Sequence, residues 1–303
     1  MDGIVVINKP EGLTSHQVVS RIRRIFPGVK AGHSGTLDPM ATGVLPVCLG
    51  RATRLVEYII GQPKKYRAEA TLGTETDTED AMGTIISRKK VPAFNDEFLK
   101  EILDSFQGEI EQLPPLYSAV KHRGKPLYHW MRKGEIPPRR KRKAHIYRIE
   151  MLSFNLAGKP VIQFDVECSK GTYIRTLAAD IGAKLGCGAH LSALTRLRVG
   201  PYTLEDSLKL DQLESAAAGN DTNKFLQALD SALLHLPALI LAKKDVDALK
   251  FGQALAAEER FRECGGEKGP YRIYRESGVF AALAAFVDSA EGCKLKTVKY
   301  LER

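Results

Sequence analysis

Apolar residues recur along this chain with two periods, and the period changes from stretch to stretch. Ile4–Ile7 is an unbroken apolar run that stops at Asn8-Lys9-Pro10-Glu11-Gly12, which predicts a strand entering a turn. Thr14 and Gln17 have the spacing of a capping box. Val18, Ile22, Ile25 and Phe26 then share one helical face, and Pro27-Gly28 ends it. Arg21, Arg23 and Arg24 lie on its solvated side. Tyr66, Ala68, Ala70 and Leu72 alternate with Arg67, Glu69 and Thr71, as in a half-buried strand, and Ile162–Cys168 repeats the pattern. Asn95 can cap a helix whose Phe98, Leu99, Ile102, Leu103 and Phe106 face a core and which Gly108 stops. A further helix is expected from Thr172 to about Gly186, after the turn Ser169-Lys170-Gly171, while residues 31–50 read as a glycine-rich loop. Strands and helices mix without a regular βαβ period, which predicts an α+β fold.

Residues 211–230 are polar and alanine-rich. After Leu236-Pro237 short strands with glycine turns resume and end in Lys294–Leu301. A boundary near 230 is therefore expected, with domains 1–230 and 231–303, and 303 residues suit two domains. Hydrophobic residues make up 44% and charged residues 27%, as in ordinary globular proteins, and no apolar run approaches the ~20 residues of a membrane span. The first residues lack the basic segment and cleavage site of a signal peptide. A net charge of +9 favours a polyanionic partner. Residues 231–303 carry 12 Lys and Arg against 10 Asp and Glu, so most of the excess lies before them, including the consecutive run Arg139–Lys143. Five scattered cysteines with no Cys-x-x-Cys pair argue against a zinc framework and fit a reducing cytoplasm.

The stretch Gly32-His33-Ser34-Gly35-Thr36-Leu37-Asp38-Pro39-Met40-Ala41-Thr42-Gly43 is the richest in candidate chemistry. Its glycines let the backbone approach a ligand closely, and Pro39 keeps Asp38 out of the helical region. On the residues alone it reads more simply as a surface turn with an Asp-Pro dipeptide. Asp77, Glu79 and Asp80 miss the spacing of a calcium loop and read as a structural acidic turn. Cys187 and His190 lack the further ligands a metal would need.

The run from Gly32 to Pro46 resembles the catalytic loop of the TruB family of tRNA pseudouridine synthases. Asn8-Lys9-Pro10, Lys65-Tyr66-Arg67, Thr76–Asp80, Pro114–Ala119, Cys168–Leu177 and Gly186–Leu191 resemble that family's other motifs, in order. The chain departs from the family at Leu127–Arg132, inside an RNA-gripping insertion at about 120–147. The resemblance implies a pseudouridine synthase fold with a mixed central sheet and a cleft, followed by a small PUA-like β-rich domain that binds RNA. It implies an isomerase that turns one uridine of the tRNA T-loop into pseudouridine. Asp38 would be the catalytic carboxylate, attacking ribose C1′ or uracil C6 or acting as a base toward a glycal. Tyr66 would stack on the uracil and take part in proton removal, and Arg175 would pair with Asp38. Lys9, His33, Tyr173 and Leu194 would contact the RNA, and Arg140, Lys141 and Arg142 would grip its backbone. The rearrangement adds no atoms and is redox-neutral, so no cofactor or metal is expected. The T-arm of tRNA is the expected partner, with no protein partner, no membrane, a monomer and a cytoplasmic setting.

Overall fold

A computed structural model of the chain describes every residue except Asn220 and Arg303. Its strands are β1 (Gly3–Lys9), β2 (Ala31–His33), β3 (Thr42–Leu49) and β4 (Lys64–Leu72), then a small hairpin of β5 (Thr74–Thr76) and β6 (Ile85–Arg88). There follow β7 (Gly108–Gln112), a second hairpin of β8 (Lys121–His122) and β9 (Lys125–Pro126), β10 (Arg142–Asn155), β11 (Val161–Cys168), β12 (Ala189–Val199) and β13 (Tyr202–Thr203). The central sheet runs β1-β3-β12-β4-β11-β10-β7, with β2 on β3 and β13 on β12. All its pairings are antiparallel except β12 with β3, so the sheet is mixed and the fold is α+β.

The helices follow their sequence signals. In α1 (Ser15–Ile25) the Thr14–Gln17 capping box is formed, and Val18, Val19 and Ile22 are buried. In α3 (Asp96–Asp104) Asn95 accepts from the Phe98 amide. Phe98 itself is 44% exposed, which corrects its assignment to the core face; Leu99, Ile102 and Leu103 fill that face. The helix after Gly171, α5 (Ile174–Lys184), starts two residues later than Thr172, which spends its hydroxyl on the Ser169 carbonyl at 2.9 Å. The remaining short helices of this part are α2 (Val56–Gly61), α4 (Leu127–Met131) and α6 (Leu210–Ala218).

Residues 31–50 are not one loop. Thr42–Leu49 is an apolar run buried on both faces, and β2 pairs with it, so only Ser34–Ala41 remains irregular. β1 shows the same physics. Val5 and Ile7 pack with α1 and α6, whereas Ile4 and Val6 point into a cluster on the other face, so both faces are covered and the run is unbroken. A third cluster joins Ala68, Ala70, Phe164 and Leu191 of the sheet to Leu99 and Leu103 of α3 and Leu177 and Ile181 of α5. Fully burying each leucine, isoleucine or phenylalanine among them contributes about 1.5–3 kcal/mol before entropy is counted.

A second sheet runs β14-β16-β17-β18-β15, from β14 (Ala238–Leu241), β15 (Leu255–Ala256), β16 (Tyr271–Arg275), β17 (Phe280–Ser289) and β18 (Gly292–Tyr300), with α7 (Lys243–Lys250) and α8 (Glu258–Glu263) beside it. It is not loosely tethered. Ala232, Leu233, Leu283 and Leu301 belong to the same buried cluster as Ile4, Val6, Val44 and Leu55. Polar contacts frame that seam. Arg54 donates to the Tyr300 carbonyl at 2.5 Å, Lys299 to the Arg54 carbonyl at 2.6 Å, and Arg51 to the Leu301 carbonyl.

Candidate active site

The irregular segment Ser34–Ala41 is pinned on both sides of Asp38. Ahead of it, the Leu37 amide donates to the Ser15 hydroxyl at 2.8 Å, and that hydroxyl donates back to the Leu37 carbonyl at 3.2 Å. Behind it, the Ala41 amide donates to the Asp38 carbonyl at 3.1 Å, closing a turn with Pro39 in second place, where its fixed φ belongs. The Pro39 carbonyl accepts from the Gly12 amide at 2.9 Å and from Lys9 Nζ at 3.2 Å. Lys9 Nζ also donates to the Pro10 and Leu13 carbonyls, at 2.8 and 2.6 Å. Lys9 is 0% exposed, so the expectation of an RNA contact there is corrected. Its three N–H groups satisfy backbone carbonyls, which leaves none for a phosphate. Burial lowers its pKa to about 8, with Asp38 and Glu11 opposing the shift.

Asp38 faces a cleft of about 280 Å³ lined by Tyr66, Lys64, Tyr173, Arg175, Leu194 and Arg196, among others. Arg175 enters from the first turn of α5 and is buried. Its Nε lies 3.0 Å from Asp38 Oδ2 and its Nη2 3.3 Å from Asp38 Oδ1, a two-pronged pairing. The same guanidinium donates to the Thr78 carbonyl at 3.0 Å and the Tyr117 carbonyl at 2.9 Å, and Asp80 Oδ2 lies 3.6 Å away. One cation thus ties the Asp38 loop, the acidic turn and the Pro114–Ala119 segment together. Burial pushes the Asp38 carboxyl above its ordinary range; Arg175 pulls it down and Asp80 adds to the rise. Tyr66 projects into the cleft from β4, 9% exposed, and burial raises its phenol while the Arg196 guanidinium opposes that rise.

The structure brings Leu194 and Tyr173 into the same cleft. Tyr173 is half-buried, and its backbone is fixed by Gln112, which donates to the Tyr173 carbonyl and accepts from its amide. His33 stands outside this lining, at the end of β2, with Nδ1 accepting from the Gly35 amide at 3.3 Å; burial, then Arg196, lowers its pKa. Arg140, Lys141 and Arg142 are exposed, but Lys141, just ahead of β10, pairs with Glu111 of β7 at 3.6 Å. Arg142 opens β10 and Tyr147 lies within it, so the segment standing off the sheet ends near Lys141, short of residue 147.

Three residues of the site were given no part in it by the sequence, where Asp80 read as structural only. Asp80 stands in the acidic turn, where it caps the Thr78 hydroxyl at 2.6 Å and the Met82 amide at 3.0 Å on one oxygen and meets Arg175 on the other. Lys64 and Arg196 sit two residues from Tyr66 and Leu194 on their strands, and that alternation was the available signal. Lys64 donates to the Ile60 and Gln62 carbonyls, and burial lowers its pKa to about 8. Among the described residues no group of His, Cys, Asp and Glu could hold a metal; His190 Nδ1 donates to the Thr74 carbonyl at 2.8 Å.

A mixed sheet with a rigid, arginine-paired aspartate and a buried tyrosine in one cleft defines the class of the pseudouridine synthase fold. Over 99% of its length the chain superposes on the solved Cbf5-Nop10-Gar1 complex, with a TM-score of 0.72, 28% identity and 85% of that chain covered. A solved H/ACA RNP bound to a substrate RNA containing 2′-deoxyuridine gives a TM-score of 0.73 at 26% identity, with 99% and 85% covered. Residues 23–174 match the model of the TruB family pseudouridylate synthase N-terminal domain, and residues 175–239 match the tRNA pseudouridylate synthase B C-terminal domain. The chain belongs to the TruB family. It is 43% identical to the tRNA pseudouridine synthase B of a Marinomonas species, over 91% of this chain and 96% of that one. It is 45% identical to a protein of the same name from Dehalococcoides mccartyi, over 93% and 92%.

Proposed function

We propose that this chain is a tRNA pseudouridine synthase that isomerises uridine 55 of the T-loop. The observation that carries the reading is the Asp38 carboxylate, fixed by its turn and by Arg175 at the mouth of a cleft walled by Tyr66 and Leu194. A uridine in a folded T-loop is stacked, so it must be flipped out to reach that carboxylate, at a cost of a few kcal/mol. Contacts to the RNA backbone offset this cost, and the shape of the loop selects the nucleotide.

In this reading Asp38 supplies the essential carboxylate as the N-glycosidic bond breaks. The base turns in place and C5 bonds to C1′. Tyr66 stacks on the uracil, Leu194 packs against it, and Tyr173 and His33 border the flipped nucleotide. Arg140 and Arg142 take phosphates more readily than Lys141, whose charge is shared with Glu111. Reactant and product are isomers, so the balance calls for no external reductant or added group. Residues 1–230 form the catalytic part, and 231–303 form a PUA-like part that extends the grip on the T-arm. The enzyme works as a monomer in the cytoplasm.

The test is direct. Unmodified tRNA is incubated with the chain, treated with a carbodiimide that leaves a stable adduct on pseudouridine, and read by reverse transcription. One new stop, in the T-loop, with unchanged RNA mass is the expected result. Asp38→Asn should give no stop while binding tRNA within a few fold of wild type. Turnover by that variant, with reversion to Asp excluded by mass spectrometry, would remove Asp38 from the mechanism.

A further inference from the structure

Arg196 is the largest fully buried side chain of the described residues, at 1% exposure, and it lies in the cleft wall. Burying a guanidinium away from water is costly unless an anion or hydrogen bonds answer it. Nε donates to the Val44 carbonyl at 2.7 Å and Nη2 to the Gly35 carbonyl at 3.2 Å. No carboxylate among the described residues forms an ion pair with it; Asp38 and Lys64 share the cleft lining, and its charge is also felt at Lys9. The neighbouring backbone fits closely against this residue. Gly43 has φ +102°, and a Cβ there would lie 2.2 Å from the Arg196 carbonyl oxygen; Gly35 has φ +127°, and a Cβ there would meet Nη1 at 3.6 Å, an ordinary contact. Gly43, near the start of β3, therefore makes room for the β12 backbone at Arg196.

On the opposite side Arg196 is the cross-strand partner of Tyr66 in the antiparallel pairing of β12 and β4. Directly opposed residues hold their Cβ atoms about 4.5–5.5 Å apart, close enough for the guanidinium to reach the phenol. A buried cation lacking a carboxylate, seated against a buried phenol, is arranged for an anion that forms during turnover.

We propose that Arg196 is a positioning residue of the reaction, whose guanidinium stabilises the Tyr66 phenolate and makes that oxygen the acceptor of the C5 proton. The inference rests on the reading that Tyr66 meets the flipped uracil. The step balances. Tyr66 first gives its proton to water. Once C5 is bonded to C1′, the C5–H bond breaks, its electron pair restores the C5–C6 double bond with the charge on N1, and the phenolate takes the proton. Water then protonates N1.

The experiment uses the full chain with 13Cζ-labelled tyrosine, the Tyr66 signal being assigned by its loss in Tyr66→Phe. In Arg196→Gln the Tyr66 titration should move up by about one unit or more, and the pH–rate profile for single-turnover pseudouridine formation should move with it. Arg196→Lys should keep both near wild type. A fluorinated tyrosine at position 66, with a more acidic phenol, should restore neutral-pH turnover to Arg196→Gln, which a packing role would not allow. An unshifted Tyr66 titration in folded Arg196→Gln overturns the proposal, as does a folded Arg196→Lys that is inactive with Tyr66 titrating normally. Should the glutamine variant not fold, the lysine variant decides alone. Absence of pseudouridine with wild-type protein would instead overturn the proposed function.

Discussion

Replacing Arg175 with Met removes the cation but keeps much of the apolar stem. At the 3.0 Å separation of Nε and Asp38 Oδ2, Coulomb's law with an effective dielectric of about 20 gives about 5.5 kcal/mol, equivalent to about four pKa units. That is a ceiling, because the Asp38 side chain is 35% exposed and water screens it. Carboxylates beside an arginine are typically lowered by about 1–3 units, so Asp38 should rise by about two when Arg175 is lost. The Asp80 charge, no longer faced by the guanidinium, works in the same direction. Turnover needs the ionised carboxylate and fails as pH falls through the Asp38 pKa, so the acidic limb of the rate profile should move upward by those two units. Arg175 also holds the Thr78 and Tyr117 carbonyls, and losing that grip lowers the plateau at high pH without moving the midpoint. The two effects separate in single-turnover rates measured across pH with RNA in excess. Arg175→Lys should keep the midpoint near wild type and lower the plateau, since it retains charge but not the planar fork. A methionine variant with lowered plateau and wild-type midpoint would refute the claim that Arg175 keeps Asp38 ionised.

Tyr66→Phe keeps the ring and Tyr66→Leu does not. If the hydroxyl removes the proton, both should be severely slowed at saturating tRNA; near-wild-type rates in both would place Tyr66 outside the chemistry. Lys9 has a folded pKa of about 8 against 10.5 for an unhindered lysine. From about pH 8 to 10.5 the folded chain has shed a proton that the unfolded chain keeps, so wild type should gain stability relative to Lys9→Met across that window. Urea unfolding of both at pH 7 and pH 10 checks the sign, and a wild type that loses stability relative to Lys9→Met as pH rises would contradict it. Arg140→Ser with Arg142→Ser should reduce the slope of log affinity against log salt by about 0.7–0.9 for each phosphate left unneutralised, whereas Lys141→Ser should change it less; identical slopes would mean a merely solvated run.

Element types were largely legible because local signals and tertiary demands agreed. The Thr14–Gln17 box, the Asn95 cap and the alternation in β4 and β11 are all realised. Thr42–Leu49 was misread because a strand buried on both faces has no alternation to detect, and its glycine and proline suggested a loop. Phe98 fell on the helical face that periodicity assigns to a core, yet in the first turn of α3 it stays 44% exposed with Phe94 beside it. The pairing of Asp38 with Arg175 was reached through the family motifs and not through spacing, since 137 residues separate the two. Lys9 and Arg196 show the complementary failure. Cations usually belong to the surface, and only the assembled fold shows carbonyls turned inward to receive them.

The seam that joins Ile4 and Val44 to Leu233, Leu283 and Leu301 also bears on how the molecule is made. A ribosome delivers β1, β3 and the Ala52–Ile59 segment long before it delivers β17 and Leu301, so one face of the central sheet is only partly covered through most of synthesis. During that interval its apolar row is a surface on which chaperones or other nascent chains can settle. Once the second sheet has docked, opening either sheet strips apolar cover from the other. The two parts should therefore melt in one cooperative transition.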